Sequence, residues 1–135
     1  MKVNIKNIAD ELQTISDGDC LFYNKITGET EWFGEELGNP NDLELDDIEE
    51  DENFVCLPSK WNINDYEIME DFMNAQKNVQ IQNQIFQAIK GKGAFRNFRA
   101  AVERNGLLDD WYKFKDSAYE QIVRDWCKKN GLETE

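Results

Sequence analysis

CLFYNKITGETEWF, residues 20–33, is the stretch on which the architecture turns. Two runs rich in aromatic and β-branched side chains flank Lys25-Ile26-Thr27-Gly28-Glu29, where Gly28 adopts most easily the positive φ that a tight reversal needs. The pattern predicts a β-hairpin. Upstream of it, Ile5, Ile8, Leu12 and Ile15 recur at helical spacing behind Asn4, a candidate N-cap, and Ser16-Asp17-Gly18-Asp19 ends the run. Downstream, residues 35–52 are acidic, with Leu43, Leu45 and Ile48 interleaved among the carboxylates. Part of this stretch is expected to pack down, a wholly mobile loop being the alternative. Phe54-Val55-Cys56-Leu57, ended by Pro58, predicts a third strand pairing back onto the hairpin.

From Trp61 onward the apolar period changes from two to about 3.6. Tyr66, Ile68, Met69, Phe72 and Met73 mark one helix, and Ile81, Ile85, Phe86 and Ile89 a second. Gly91 closes the second helix and Gly93 opens a third, with Phe95, Phe98 and Val102 on one stripe and Asn105-Gly106 as its stop. Asp109 is placed to cap a fourth and longest helix running to about Asn130. Its apolar arc holds Trp111, Tyr112, Phe114, Tyr119, Val123 and Trp126, with Lys115 near the middle. The expected fold is α+β: an N-terminal helix and a three-stranded antiparallel sheet packed against a C-terminal cluster of four helices. Residues 1–135 are read as a single domain, 1–60 carrying the helix, sheet and acidic loop and 61–135 the helical part.

Composition narrows the function classes. A length of 135 residues fits one domain, and 40% apolar residues including 16 aromatics suffice for a packed core. No histidine occurs, which excludes Ser-His-Asp and Cys-His nucleophilic catalysis and imidazole metal ligation. Cys20, Cys56 and Cys127 are odd in number and widely spaced, and read as reduced core cysteines. No apolar run approaches the roughly 20 residues of a membrane span, and MKVNIKNIAD lacks a signal peptide's apolar core, so a cytoplasmic protein without membrane contact is expected.

The charges are divided along the chain. Residues 1–71 hold four Lys/Arg against 20 Asp/Glu, a net of −16, and residues 72–135 hold 11 against eight, a net of +3. Such asymmetry bears on fields and partners. Within the second half, Lys92, Arg96, Arg99 and Glu103 project within about 60° of one another at 100° per residue, a mainly basic ridge on the third of these helices. Gly91-Lys92-Gly93 before a helix is an anion-site candidate, although it lacks the spacing of a nucleotide-binding loop. Lys115, set in an apolar arc, is expected either to snorkel, to pair with a carboxylate or to contact a ligand. Asp46-Asp47 and Asp109-Asp110 lack the spacing of a metal loop. No catalytic residue, metal site or cofactor is assigned.

The stretch IFQAIKGKGAFRNFRAAVERNGLLDDWYKFKDSAYEQIVRDWCKKNGL, residues 85–132, resembles the C-terminal signature of the bacterial uncharacterised protein family 0158, in which a Gly-Lys-Gly-Ala-Phe-Arg step leads into an Asp-Trp-Tyr helix. The Lys25 to Glu29 turn and the Phe54 to Pro58 run are similar to that family too, and residues 35–52 match it least. In the family pattern the position of Lys115 is commonly arginine and that of Asn97 commonly basic. Asn97 here departs from it, which weakens a nucleic-acid reading. The resemblance implies the architecture and carries no activity. The expected function is a non-enzymatic interaction or regulatory module, binding a protein partner or a second copy of itself through Lys92, Arg96 and Arg99 and the region of Trp111, Tyr112 and Lys115. The alternatives are a carboxylate-dependent enzyme and a nucleotide- or nucleic-acid-related protein, the last disfavoured by the net charge of −13.

Overall fold

The computed structural model describes residues 2–34, 38–60 and 62–135. Residues 35–37 of the acidic stretch and Trp61, where the helical pattern begins, lie outside the described residues. By compactness the chain divides into one unit formed by Met1–Ile63 with Tyr119–Glu135, and another formed by Asn64–Ala118.

In the first unit, α1 (Ile5–Thr14) starts where Asn4 Oδ1 accepts from the Asn7 amide at 3.1 Å, satisfying a donor that the first helical turn leaves open. Its Ile5, Ile8, Ala9 and Leu12 are buried. Strands β1 (Cys20–Asn24), β2 (Thr30–Phe33) and β3 (Phe54–Cys56) form an antiparallel sheet in the order β2-β1-β3. Gly28 has φ 77° in the hairpin turn, and Asn24 Oδ1 accepts from the amides of Ile26 at 2.8 Å and Thr27 at 3.3 Å.

The central strand is covered on both faces, so its residues run Leu21, Phe22 and Tyr23 without a polar break. Cys20 pairs with Phe33 and Asn24 with Phe54, which places Phe22, Phe33 and Phe54 on one face of the pleat. That face is closed by Ile48. On the other face, Tyr23 meets Trp126 edge-on at 5.9 Å, and the Trp126 Nε1–H donates to the Cys56 carbonyl at 2.8 Å.

The acidic stretch differs from expectation in having a helix of its own, α2 (Leu45–Glu50). Asp46 and Asp47 stand in its first turn, where carboxylates favour the positive end of the helix dipole, and Ile48 supplies the anchor. Leu43 and Leu45, expected to pack down with Ile48, remain 39% and 37% exposed; Leu43 precedes the helix, and Leu45 belongs to six residues that rest on one side chain and turn only Ile48 inward. The entry to α2 is organised by Asn39, a buried amide that no sequence pattern marked. Its Nδ2 donates to Glu31 Oε2 at 3.0 Å and to the Trp32 carbonyl at 2.9 Å, and its Oδ1 accepts from the amides of Asn41 at 2.7 Å and Leu43 at 3.3 Å. Asn39→Ala is expected to cost about 1–3 kcal/mol in urea unfolding, since buried backbone groups lose their partners; unchanged stability contradicts that role.

The cysteines are free thiols. Cys127 is buried and Cys20 half-buried, but Cys56 is exposed, contrary to its expected core position, because β3 is an edge strand. Its sulfur still lies against the Leu57 carbonyl at 3.3 Å, and desolvation, then the neighbouring Cys20 and Glu49, push the thiol up, away from the reactive thiolate. Burial first, then Cys127 and Glu135, raises the Tyr23 phenol above its ordinary 10.0, and burial raises the Cys127 thiol above its ordinary 9.0. Folding makes both groups hold their protons longer. Their stabilising contribution is complete below the unfolded values and is lost as pH rises through the folded ones. Urea unfolding is therefore expected to show stability falling upward from 9.0, more steeply beyond 10.0, with Tyr23→Phe removing the later part; a flat alkaline profile contradicts this.

The second unit contains α3 (Asp65–Asn74), α4 (Val79–Ala88), α5 (Ala94–Arg104) and the first part of α6 (Leu108–Lys129), whose remainder, from Tyr119, belongs to the first unit. Asn64 and Asn78 cap α3 and α4 through their side chains. Asp109, expected as the cap of the last helix, lies inside its first turn beside Asp110, because α6 already begins at Leu108. The core of this unit is aromatic. Phe72 of α3 meets Phe98 of α5 at 6.1 Å and Trp111 and Phe114 of α6 at 5.4 and 5.3 Å, all edge-on. The α+β class is borne out: an N-terminal helix, a three-stranded antiparallel sheet and C-terminal helices, six helices in all among the described residues.

Candidate functional site

The turn from α4 to α5 is built on two left-handed glycines, Gly91 at φ 74° and Gly93 at φ 73°. Gly93 is the N-cap of α5, and its carbonyl accepts from the Asn97 amide at 2.9 Å. A Cβ at Gly91 would meet nothing, and one at Gly93 only the tips of Arg96 and Asn97. Backbone conformation, and not space, is therefore what calls for glycine here. The Asn97 Nδ2 donates to the Lys92 carbonyl at 3.4 Å, so Asn97 serves the turn itself. Lys92 and both glycines are exposed.

Helix α5 presents two unlike sides. Phe98, Ala101 and Val102 are buried, and Phe98 stacks edge-on with Trp111 at 4.7 Å. Arg96, Arg99 and Glu103 are exposed on another arc of the helix, and Lys92 is exposed in the turn before it. Phe95 corrects the expected stripe: it lies about 60° from Phe98 at 100° per residue, in the first turn, and is 57% exposed. Phe95, Arg99 and Arg96 thus share about 100° of outward arc. On α4, Phe86 also departs from its expected inward position. It lies about 100° from the buried Ile85 and is 44% exposed, with the Lys90 ammonium 4.1 Å from its ring centre. Asn105 Nδ2 donates to Gln84 Oε1 at 2.9 Å and so links α5 to α4.

The other candidates are distributed differently. Trp111 is part of the core, between Phe72 and Phe98. Tyr112, next along α6, is exposed at 42%, and Lys115 is half-buried. Of the aromatics read as interior, Tyr119 and Trp126 are buried as well, whereas Tyr66 is exposed with its hydroxyl donating to the Ile89 carbonyl at 2.9 Å. A cation that the sequence did not mark reaches a buried partner: Lys60 Nζ donates to the hydroxyl of the fully buried Tyr119 at 2.7 Å and to the Gln13 carbonyl at 3.5 Å. Lys60 lies two residues after Pro58 and outside any helical period, so no pattern points to it.

Asp46 and Asp47 on α2 and Asp109 and Asp110 on α6 are exposed. Among the described residues, no group of three or more Asp, Glu or Cys side chains is arranged to hold a metal ion, and no helix is long and apolar enough to cross a membrane. A cleft of about 400 Å³ opens in the first unit, lined by Asn4, Asn7, Ile8, Glu11, Gly28, Glu29 and Thr30. It contains no aromatic ring, and Thr30 Oγ1 donates to Glu11 Oε2 across it. The charge is segregated by unit: Asn64–Ala118 holds eight Lys/Arg and eight Asp/Glu, so the net −13 belongs wholly to the other unit.

Residues 1–134 match the model of a family described as Uncharacterised protein family (UPF0158). No curated protein and no solved structure matches the chain.

Proposed function

The chain belongs to the Uncharacterised protein family (UPF0158), and since that description names no activity, we propose from the geometry that it is a non-enzymatic interaction module of the cytoplasm. It acts through the Lys92, Arg96 and Arg99 face of α5 and through its acidic N-terminal part. The observation that carries this reading is the two-sidedness of α5: its inner side chains are core, while a phenylalanine and three cations stand outward beside them. Exposed aromatic and arginine side chains together are the residue types enriched at contact surfaces. We assign Tyr112, exposed on α6, and the half-buried Lys115 to the same interaction region. We also infer that residues 1–135 form a single domain, because α6 is one uninterrupted helix shared by both units.

Fluorescence anisotropy with labelled polyglutamate tests the interaction face. Binding is expected at about 0.1 M salt and is expected to vanish at about 1 M, where screening shortens the Debye length to about 3 Å. Arg96→Glu/Arg99→Glu is expected to weaken it at least about tenfold. Absence of binding by the unaltered protein at the lower salt overturns the reading. The nucleic-acid alternative is tested beside it by an RNA oligonucleotide, whose affinity would fall linearly against log salt.

A further inference from the structure

We propose that the α5 face docks the acidic segment 42–52 of a second copy of this chain, an inference that rests on the reading of α5 as an interaction face. The two surfaces are complementary in more than charge. Residues 42–52 carry eight carboxylates and no cation, and all of them are exposed; only Ile48 is turned inward. Leu43 and Leu45 stand among those acids as exposed apolar side chains, 39% and 37% accessible. On the α5 side, Arg96 and Arg99 stand with the exposed Phe95 on one outward arc that holds Glu103 as its acid, and Lys92 is exposed in the turn before it. Each surface therefore offers charge mainly of one sign beside uncovered apolar side chains, the arrangement that gives a contact both register and desolvated area. Asn39 and Ile48 fix the acidic segment in place before it meets a partner, which lowers the ordering entropy lost on docking.

The net charge of −13 on each copy sets the expected salt dependence. Repulsion between whole copies reaches about 30 Å at 0.01 M salt but only about 10 Å at 0.1 M, whereas pairs in direct contact persist until the Debye length falls to about 3 Å near 1 M. Association is therefore greatest near 0.1 M and weaker at both extremes.

Sedimentation velocity across this range tests the proposal, with a charge exchange as its control. Arg96→Glu/Arg99→Glu and Glu49→Lys/Glu50→Lys each lose association at least about tenfold, and an equimolar mixture of the two variants regains it, because the reversed α5 of one faces the reversed α2 of the other. The second pair leaves Asp46 and Asp47 at the positive end of α2, so that helix is retained. A chain monomeric at every salt, a maximum at the lowest salt, or a mixture that stays monomeric overturns the proposal. If the unaltered protein is monomeric yet binds polyglutamate, this partner is wrong and the α5 reading stands; if it binds neither, both fall. Binding of the RNA oligonucleotide alone transfers the face to nucleic acid and likewise overturns the second-copy contact.

Discussion

Phe72→Ala is expected to lower the unfolding free energy by about 3–5 kcal/mol, the range for deleting a buried aromatic ring. Phe72 is 3% exposed and touches Phe98, Trp111 and Phe114 at once, so its removal leaves three rings from two other helices without their common neighbour. A domain of this size has a stability of about 5–15 kcal/mol, so the variant keeps only part of it. Phe72→Leu, which refills most of the volume, is expected to cost less. Urea unfolding of the three proteins measures the series. Equal stability of Phe72→Ala and the unaltered chain would mean that the aromatic stripe is not interior packing.

Trp126→Ala is expected to have an effect of similar size, about 3–5 kcal/mol, through a different core. Trp126 is 6% exposed, packs on Tyr23 across the sheet and donates to the Cys56 carbonyl of the edge strand. Trp126→Phe separates these two contributions. It retains most of the ring and leaves the carbonyl without this donor, an expected loss of about 1–3 kcal/mol. The two alanine variants lie in different compact units, and a single domain requires both to shift the same urea transition. Two separate transitions, each moved by one substitution, contradict the single-domain inference.

Much of the fold was legible because it is written in local chemistry. Asn4 acts as the cap its position suggested, Gly28 turns the hairpin at positive φ, and Phe54 to Cys56 pairs with the central strand. The elements that escaped reading depend on a single buried side chain or on distant partners. Helix α2 is hidden in a run of carboxylates that resembles a solvated loop, and only Ile48 distinguishes it. Asn39 looks like a common turn residue, and its importance comes from Glu31 and Trp32 across the hairpin's far strand. Helical angle points to Lys115, yet Lys60, in an irregular segment, reaches Tyr119.

For the candidate site, spacing located the α5 cations and the buried Phe98 but misplaced Phe95. An angular criterion puts Phe95 within the Phe98 stripe, while burial depends on what covers the margin of that stripe, and Phe95 is left 57% exposed. The same limit applies to Phe86 and Tyr112, both at the edge of an apolar arc and both outward. Trp111, one residue before Tyr112, is core. A helical wheel orders side chains around an axis and says nothing of where the neighbouring helices stop.

The interaction face requires that the outward groups of α5, and not the core rings of the helical unit, meet another molecule. A ¹H–¹⁵N correlation spectrum of the intact chain, recorded with and without polyglutamate at about 0.1 M salt, reads this residue by residue. The expected result is a set of amide shifts confined to Lys92, Phe95, Arg96, Arg99 and their neighbours, with the amides of Phe72 and Trp111 and the Trp111 indole N–H unmoved. Shifts concentrated on those core groups, or none anywhere, would contradict it.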